Sequence, residues 1–470
     1  MAGATAGGPK ASFHSMFAFA LMMSIGAGVL SLPQNVSRTG VCASLVLSLY
    51  VGFAVLWCMQ LMLRAKTVCE EHGVRIATYQ DLGTILLGGE AGRRVVELSV
   101  CGFQLGVLCV YFDFIATCLV VLFPTVFVGA RRVAWMAVFY VPICAACCLR
   151  YLRDLGFVAE VAISSYVIGW CIIVIICAVR VGNMGFENTR LEPKHTEWSV
   201  VGLFGALCYS FEGVPASLCQ MVDTLEERPR AAELITVSIL AILGVYVFTE
   251  YVGAFAFVRP GDPLSLSLVE HYGLTFPSIS LNLLIVFAVF LKYPLQFFPM
   301  ITIFERNMNF GPGARLRANT ASAPKAIEVK PSNYSRVEQG VSDDNTPLLR
   351  AKLQEEEEEE DDTIWISRSD GGVYVVMLRS AIVALTAVVA LVVPNLTDLI
   401  DLVGVLFAPV LAIVFPCIFD LGIKRKFAPI PSMGVPFETS LTIFFLTTGI
   451  IGWLFGSTQQ ITNLASGGAR

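Results

Sequence analysis

Apolar residues run in long stretches along most of this chain, separated by short polar turns and by one long polar segment. A helix that crosses a bilayer needs about 20 mostly apolar residues. Runs of that kind fall near 13–35, 41–63, 96–123, 133–149, 155–180, 199–221, 233–258, 277–304, 373–393, 399–420 and 437–457. The pattern therefore predicts an all-α polytopic membrane protein with eleven transmembrane helices. The first run begins where a signal peptide would, but it ends at Pro33-Gln34 rather than at a small-residue cleavage site, so we assign it as a helix of the chain. The connection 64–95 carries a short stretch near 79–87 that suits an interfacial helix.

Composition agrees with the pattern. The chain has 470 residues, of which 56% are hydrophobic and 15% charged, with a mean hydropathy of +0.71. Soluble domains are about 25% charged, so a soluble enzyme and a single-anchor receptor are both excluded. Of the fourteen cysteines only Cys69 lies outside an apolar run, and a thiol in lipid acts as a small hydrophobe. We read no disulfide framework and no metal site, even at Cys144, Cys147 and Cys148, which sit in one continuous apolar helix.

Basic residues orient the bundle. With the N-terminus inside, the inner segments hold 22 Lys and Arg against 8 outside, or 13 against 8 without the nine of the long polar segment. The organisation expected is a cytosolic tail at 1–12, helices one to eight at 13–304, an acidic cytosolic loop at 305–372, and helices nine to eleven with a short tail at 373–470. The loop holds fourteen acidic and nine basic residues, a balance of −5 that equals the net charge of the whole chain. It shows no helical period and too little apolar surface to offset its ordering entropy, so it is expected to be disordered.

Two spans contain backbone that an uninterrupted membrane helix would not choose. In the first, Gly26-Ala27-Gly28-Val29-Leu30 sits at mid-span with Pro33 close behind; in the sixth, Tyr209-Ser210-Phe211-Glu212-Gly213 is followed by Pro215. Unwound backbone survives at membrane depth only where protein or a water-filled cavity satisfies it. The alternative for Gly26 and Gly28 is a small-x-small pair that lets helices pack closely. Spans one and six are five helices apart, the spacing of a five-plus-five inverted repeat whose broken helices line a midplane site. Free amides at a half-helix N-terminus would suit an anionic group such as a carboxylate.

The segment Gly26-Ala27-Gly28-Val29-Leu30-Ser31-Leu32-Pro33 resembles the first-helix motif of the amino acid/auxin permease family, in its proton-coupled and vacuolar amino acid transporter branch. Val110-Tyr111-Phe112, Phe204-Gly205, Phe211-Glu212-Gly213, Tyr293-Pro294-Leu295-Gln296-Phe297, Val393-Pro394-Asn395 and Leu402-Val403-Gly404 follow in family order. The resemblance implies a LeuT-like secondary transporter of amino acids with helices 1 and 6 broken, usually driven by protons. It implies that Gly26, Ala27, Gly28, Val29 and Leu30 hold the substrate carboxylate, and that Tyr209, Ser210, Phe211, Glu212 and Gly213 face its amino group and side chain. Tyr111 would close over the substrate; its other reading is an aromatic that fills the bundle.

Ionisable residues inside spans are costly and are functional suspects. Glu212 stands at the second break, as a proton-binding group or as a passive helix cap. Lys292 precedes Tyr293-Pro294 where the family tends to carry a small hydroxyl residue, in the helix that supplies a sodium site in sodium-coupled relatives of the fold. A fixed ammonium there would replace the cation and imply sodium-independent transport with proton coupling or exchange; the alternative is a side chain that reaches to the cytosolic edge. Asp113 is a candidate counter-ion for Lys292 or for a basic substrate. Glu160 and Glu250 receive no role.

Within the loop, Asp344-Asn345-Thr346-Pro347-Leu348-Leu349 has the spacing of an acidic dileucine sorting signal, in which Asp344, Leu348 and Leu349 would dock on an adaptor. It favours a vacuolar or lysosomal membrane over the plasma membrane. The acidic run 355–362 reads as a solvated charge run. The expected partners are a small amino acid, a proton, the lipid bilayer and an adaptor, with no nucleic acid and no cofactor. The rival function is an amino acid sensor that signals through 305–372. An enzyme is not expected, because no histidine or carboxylate constellation has catalytic or metal-ligand spacing.

Overall fold

The computed structural model describes residues 11–149, 156–184, 197–211, 213–257, 264–308, 372–392, 396–427 and 435–465. The first apolar run folds as two helices, α1 (Phe13–Ser24) and α2 (Ala27–Thr39), joined by extended residues at Ile25 and Gly26. Then come α3 (Val41–Glu71), the short α4 (Tyr79–Leu86), α5 (Glu90–Leu122), α6 (Arg131–Cys147) and α7 (Gly156–Met184). In the sixth run the described helices are α8 (Glu197–Phe211) and α9 (Gly213–Thr224), on either side of Glu212. They are followed by α10 (Ala231–Ala256), α11 (Leu264–Tyr272), α12 (Phe276–Met308), α13 (Val373–Val392), α14 (Leu396–Leu406), α15 (Phe415–Phe427) and α16 (Val435–Ala465). A π-helical turn, Val410–Val414, lies before α15.

Eight described helical segments are long and apolar enough to cross a bilayer, so the chain is an all-helical, multi-pass membrane protein. Of the other three runs in the sequence, the first is divided into two short helices, the sixth is described on either side of Glu212, and α6 is only 17 residues long and carries Pro142. The helix expected near 79–87 is α4, started by a reciprocal capping box between Thr78 and Asp81. Residues 309–371, which include most of the acidic loop with Asp344, Leu348 and Leu349, lie outside the described residues, as does Glu212.

The long α5 is the bundle's axis, with 72% of its most apolar window buried, whereas α16 lies at the rim with 22%. Small residues let the inner helices approach. Gly102 and Gly106 of α5 leave room for Phe407 and for Val403 of α14, and a Cβ on Gly404 would run into the Gly205 carbonyl of α8. This close contact ties α8, one half of the second break, to the α5–α14 core. On the side where α1 begins, backbone bonds join Ala11 to the end of α9: Ala11 N donates to the Thr224 carbonyl at 2.9 Å, and Glu226 N to the Ala11 carbonyl at 3.0 Å. Lys66 of α3, 1% exposed, reinforces that closure with an ion pair to Asp223 at 2.9 Å.

A buried ion pair ties other helices together. Arg379 of α13 and Glu305 of α12 are 1% and 0% exposed and meet at 2.8 Å, while the same guanidinium donates to the carbonyls of Cys147 and Leu149, each at 2.8 Å. The pair staples three helix ends. Removing one partner of a buried ion pair strands the other charge, whereas removing both need not. Arg379→Met is therefore expected to destabilise the protein by about 3–5 kcal/mol, and Arg379→Met combined with Glu305→Leu to recover much of the loss in thermal unfolding in detergent. Equal losses in the single and double variants would show that the pairing is not the cause.

Candidate functional site

The site is built where α1 stops. Ile25 (φ −78°, ψ 102°) and Gly26 (φ −145°, ψ −160°) are extended, so the last carbonyls of α1 and the first amides of α2 lose their helical partners. Three side chains answer the carbonyls. The Tyr246 hydroxyl of α10 donates to Ser24 O at 2.7 Å, the Lys292 ammonium of α12 to Ile25 O, and the Tyr166 hydroxyl of α7 to Gly26 O at 2.6 Å. The Lys292 ammonium also stands over the Tyr166 ring, 5.1 Å from its centroid, a cation–π contact that helps a buried ammonium. Lys292 is 6% exposed and is held at the break rather than at the cytosolic edge.

The end of α8 abuts the break. Tyr246 is also 2.6 Å from Ser210 O, so a single phenolic proton is shared between carbonyls of α1 and α8. A Cβ on Gly28 would lie 2.6 Å from Ser210 Oγ and 2.9 Å from the Tyr209 ring, and one on Gly213 would collide with the Met23 carbonyl. Glycine is required at both places by close approach.

Between the breaks lies a cavity of about 20 Å³, room for about one water molecule. Its floor is backbone at Gly26, Gly28, Ser210 and Gly213; its walls are Phe103, Val107 and Tyr111 of α5, Tyr209 of α8 and Gln296 of α12. The Tyr111 hydroxyl lies beside the Gln296 side chain and 3.4 Å from where a Gly26 Cβ would stand. Two buried atoms here, Ser24 Oγ and Gln296 Oε1, have no partner among the described residues. The first amides of α2 carry no side-chain cap, since the capping position is Gly26. A group bound here would meet amide donors on one side and a hydroxyl and an amide oxygen on the other.

The candidates drawn from sequence are divided by this geometry. Gly26, Gly28, Tyr111, Tyr209, Ser210 and Gly213 line the cavity. Val29 and Leu30 are buried in the hydrophobic core, and Phe211 packs edge-on against Tyr246 with centroids 4.9 Å apart. The side chains of Ala27 and Glu160 and the whole of Glu212 lie outside the described residues. Asp113, two residues beyond Tyr111 and so on a different face of α5, forms an ion pair with Arg132 of α6 at 2.7 Å. The same guanidinium donates to the Ala390 carbonyl of α13 at 2.7 Å. The counter-ion role expected for Asp113 toward Lys292 thus gives way to a clamp across α5, α6 and α13.

Ser24, Phe103, Tyr166, Tyr246 and Gln296 were not singled out from the sequence. One signal was available: Gln296 follows Lys292 by one helical turn, so both point the same way from α12. Tyr166 and Tyr246 carried none, because a tyrosine in an apolar span reads as filler until its hydroxyl is seen to meet a freed carbonyl.

Residues 9–462 match the family model described as transmembrane amino acid transporter protein. The chain is 24% identical over 473 residues to "Amino acid transporter AVT3B" of Arabidopsis thaliana, over 97% of this chain and 95% of that one. It is 23% identical over 334 residues to "Vacuolar amino acid transporter 4" of Saccharomyces cerevisiae, over 68% of this chain and 44% of the length of that relative. In fold it is similar to Mhp1, a nucleobase-cation-symport-1 family transporter solved in a closed conformation with bromovinylhydantoin bound. That likeness has a TM-score of 0.50 and 11% identity, over 97% of this chain and 93% of Mhp1, and it concerns the LeuT-like arrangement of helices alone.

Tyr246→Phe removes one hydroxyl and leaves two buried carbonyls short of a donor. A loss of about 1–3 kcal/mol is expected in thermal unfolding, well above that of Tyr140→Phe, whose hydroxyl donates to the half-buried Ser380 carbonyl at 3.1 Å. Equal losses would mean that the phenol does not hold the breaks together.

Proposed function

The chain belongs to the transmembrane amino acid transporter family, and from that premise we propose that it is a secondary active amino acid transporter working by alternating access around the cavity between its two breaks. One observation carries this reading: the freed backbone between α1 and α2 faces a small cavity against α8 and α9, in which a hydroxyl and an amide oxygen have no partner among the described residues. Transport rather than sensing is what the family match favours. In this proposal the eleven spans are α1/α2, α3, α5, α6 and α7, then α8/α9, α10, α12, α13 and the α14–α15 segment as the second repeat, with α16 as the eleventh. The division into a tail at 1–12, spans at 13–304 and 373–470 and a cytosolic loop at 305–372 belongs to the same proposal.

The substrate carboxylate meets the amides at the start of α2, in the stretch from Gly26 to Leu30, where the helix dipole favours negative charge. The ammonium group meets Gln296 Oε1, Ser24 Oγ and the stretch from Tyr209 to Gly213, with Glu212 among its candidates. Phe103, Val107, Tyr111 and Tyr209 surround the side chain, and this aromatic wall with glycines beneath it suits small and medium neutral amino acids. An amino acid is several times larger than the present cavity, so α2 and α8 must part to admit it. That requirement is the physical content of alternating access here.

Lys292 supplies coupling by substitution. Its ammonium sits on the Ile25 carbonyl at the negative end of α1, where a fixed charge takes the place of a bound sodium ion. We read the transporter as sodium-independent and driven by protons. The vacuolar name of the yeast relative and the dileucine pattern of Asp344, Leu348 and Leu349 support a vacuolar or lysosomal membrane, reached through an adaptor, over the plasma membrane.

Purified protein in liposomes should show counterflow of neutral amino acids at the same rate in sodium and in choline medium. Sodium-dependent uptake would overturn the role given to Lys292, and the absence of counterflow for any amino acid would sink the transport reading. Gln296→Ala should raise the half-saturating substrate concentration about tenfold, the effect of losing one charge-assisted hydrogen bond of about 1.5 kcal/mol. An unchanged value would remove Gln296 from the site.

A further inference from the structure

Glu250 lies in α10 at 0% exposure, in a span that runs through the apolar body of the bundle. Its Oε2 accepts a hydrogen bond from the Ser48 hydroxyl of α3 at 2.8 Å, and its Oε1 has no partner among the described residues. Four other buried carboxylates of the bundle each meet a cation: Glu97 meets Arg93 and Arg306, Asp113 meets Arg132, Glu305 meets Arg379 and Asp420 meets Lys424. A lone carboxylate in dry, apolar surroundings is far costlier than a carboxylic acid. The ligand that a single carboxyl beside one hydroxyl, with its second oxygen open, can take is a proton.

Its place along α10 links it to the breaks. Tyr246, one turn earlier on the same face, donates to the carbonyls of both broken helices. One turn later a Cβ on Gly253 would lie 2.6 Å from Pro33 of α2. The elements packed on α10 are α1, α2, α3 and α7. From α3 Glu250 meets Ser48; α1 brings the Ser24 carbonyl to Tyr246, α2 brings Pro33 to Gly253, and α7 brings Trp170 to Thr249 at 2.9 Å. On α10 the neighbouring titratable groups are the phenols of Tyr246 and Tyr251, the latter held by Ser44 at 2.8 Å. Neither is a cation. Both Ser48 and Glu250 lie toward the membrane face where α2 ends and α3 begins, which is the outer or luminal face if the N-terminus is cytosolic.

We propose that Glu250 is the proton-binding site that couples transport to the proton gradient, loaded from the aqueous phase on the side where α2 ends. This rests on the transport reading above and adds the residue that carries the driving ion. Protonated, Glu250 stays in the closed bundle between α3 and α10. Ionised, it demands water, and water reaches it only if the helices packed on α10 part, the movement that also opens the site below Tyr246. The proton enters as the carboxyl is loaded and leaves when the carboxyl next meets water, so no other reactant is needed.

The test uses the full chain in liposomes with two measurements, counterflow at equal pH and accumulation driven by an imposed pH difference. With one proton per amino acid, one pH unit sustains about tenfold accumulation. Glu250→Gln mimics the protonated form; it should keep counterflow while accumulation and its pH dependence disappear. Ser48→Ala should shift the pH midpoint of driven uptake and leave counterflow intact, which keeps the proposal testable if the first variant is poorly folded. Accumulation by Glu250→Gln at the wild-type level, loss of its counterflow together with accumulation in a folded protein, or an unmoved midpoint in Ser48→Ala would each overturn the assignment. Wild-type protein that exchanges amino acids without responding to a pH difference would also overturn it, whereas wild-type protein that exchanges nothing would instead refute the transport reading beneath it.

Discussion

A backbone carbonyl or amide without a partner inside a bilayer has no water to turn to, and the break between α1 and α2 frees several of each. The centre of this protein is organised around meeting that demand. Tyr246, Tyr166 and Lys292 come from three different helices, and each delivers a donor to a successive carbonyl at Ser24, Gly26 and Ile25. Tyr246 also reaches the Ser210 carbonyl of α8. The carbonyl side of the site is therefore closed by protein, while the amide side, at the start of α2, is left to be met by something else. In the proposed transporter, that asymmetry would suit a group with negative charge at one end.

The same demand explains why a lysine can stand in the middle of a membrane protein. An ammonium there is costly, yet at the end of α1 it finds a freed carbonyl, the negative end of a helix dipole and the face of Tyr166. A mobile cation could satisfy the same carbonyl. A tethered one differs in that it cannot leave, so in the proposed cycle the driving gradient acts on another group. The clamp between Asp113 and Arg132, the bonds from Ala11 to Thr224 and Glu226, and the pair between Lys66 and Asp223 belong to the frame against which the breaks would move.

Much of this was legible in the chain itself. The spans follow from apolar runs of lipid-crossing length, and the first break from two glycines ahead of Pro33; α1 and α2 do part at Ile25 and Gly26. The prominence of Lys292 was also readable, because charge in an apolar run is rare. The partners were not. Nothing in the order of residues distinguishes Tyr246, which ties two breaks, from Tyr140 at the edge, since the difference lies in which carbonyl is nearby after folding. The fate of Asp113 shows the same limit: its distance in sequence from Lys292 and from Arg132 says nothing about which side of α5 each approaches. The π-turn at Val410–Val414 carries no marker either, because one extra residue in a turn leaves the apolar pattern unchanged.

The location of the net charge bears on the last question, where the driving ion acts. The −5 of the chain resides in segment 305–372, and the rest of the chain is formally neutral, so charge inside the bundle has to be settled locally. Glu97, Asp113, Glu305 and Asp420 settle it against arginine or lysine, and a carboxylate held by a cation resists protonation because the pair would be broken. Glu250 has a serine hydroxyl where the others have a cation. A group that must bind a proton on one side of the membrane and give it up on the other cannot carry a permanent counter-ion, and it needs surroundings whose wetness changes between states. A carboxyl one turn from the phenol that reaches both Ser24 and Ser210, with one oxygen left open among the described residues, suits the proposed role, and a carboxylate fixed in an ion pair does not.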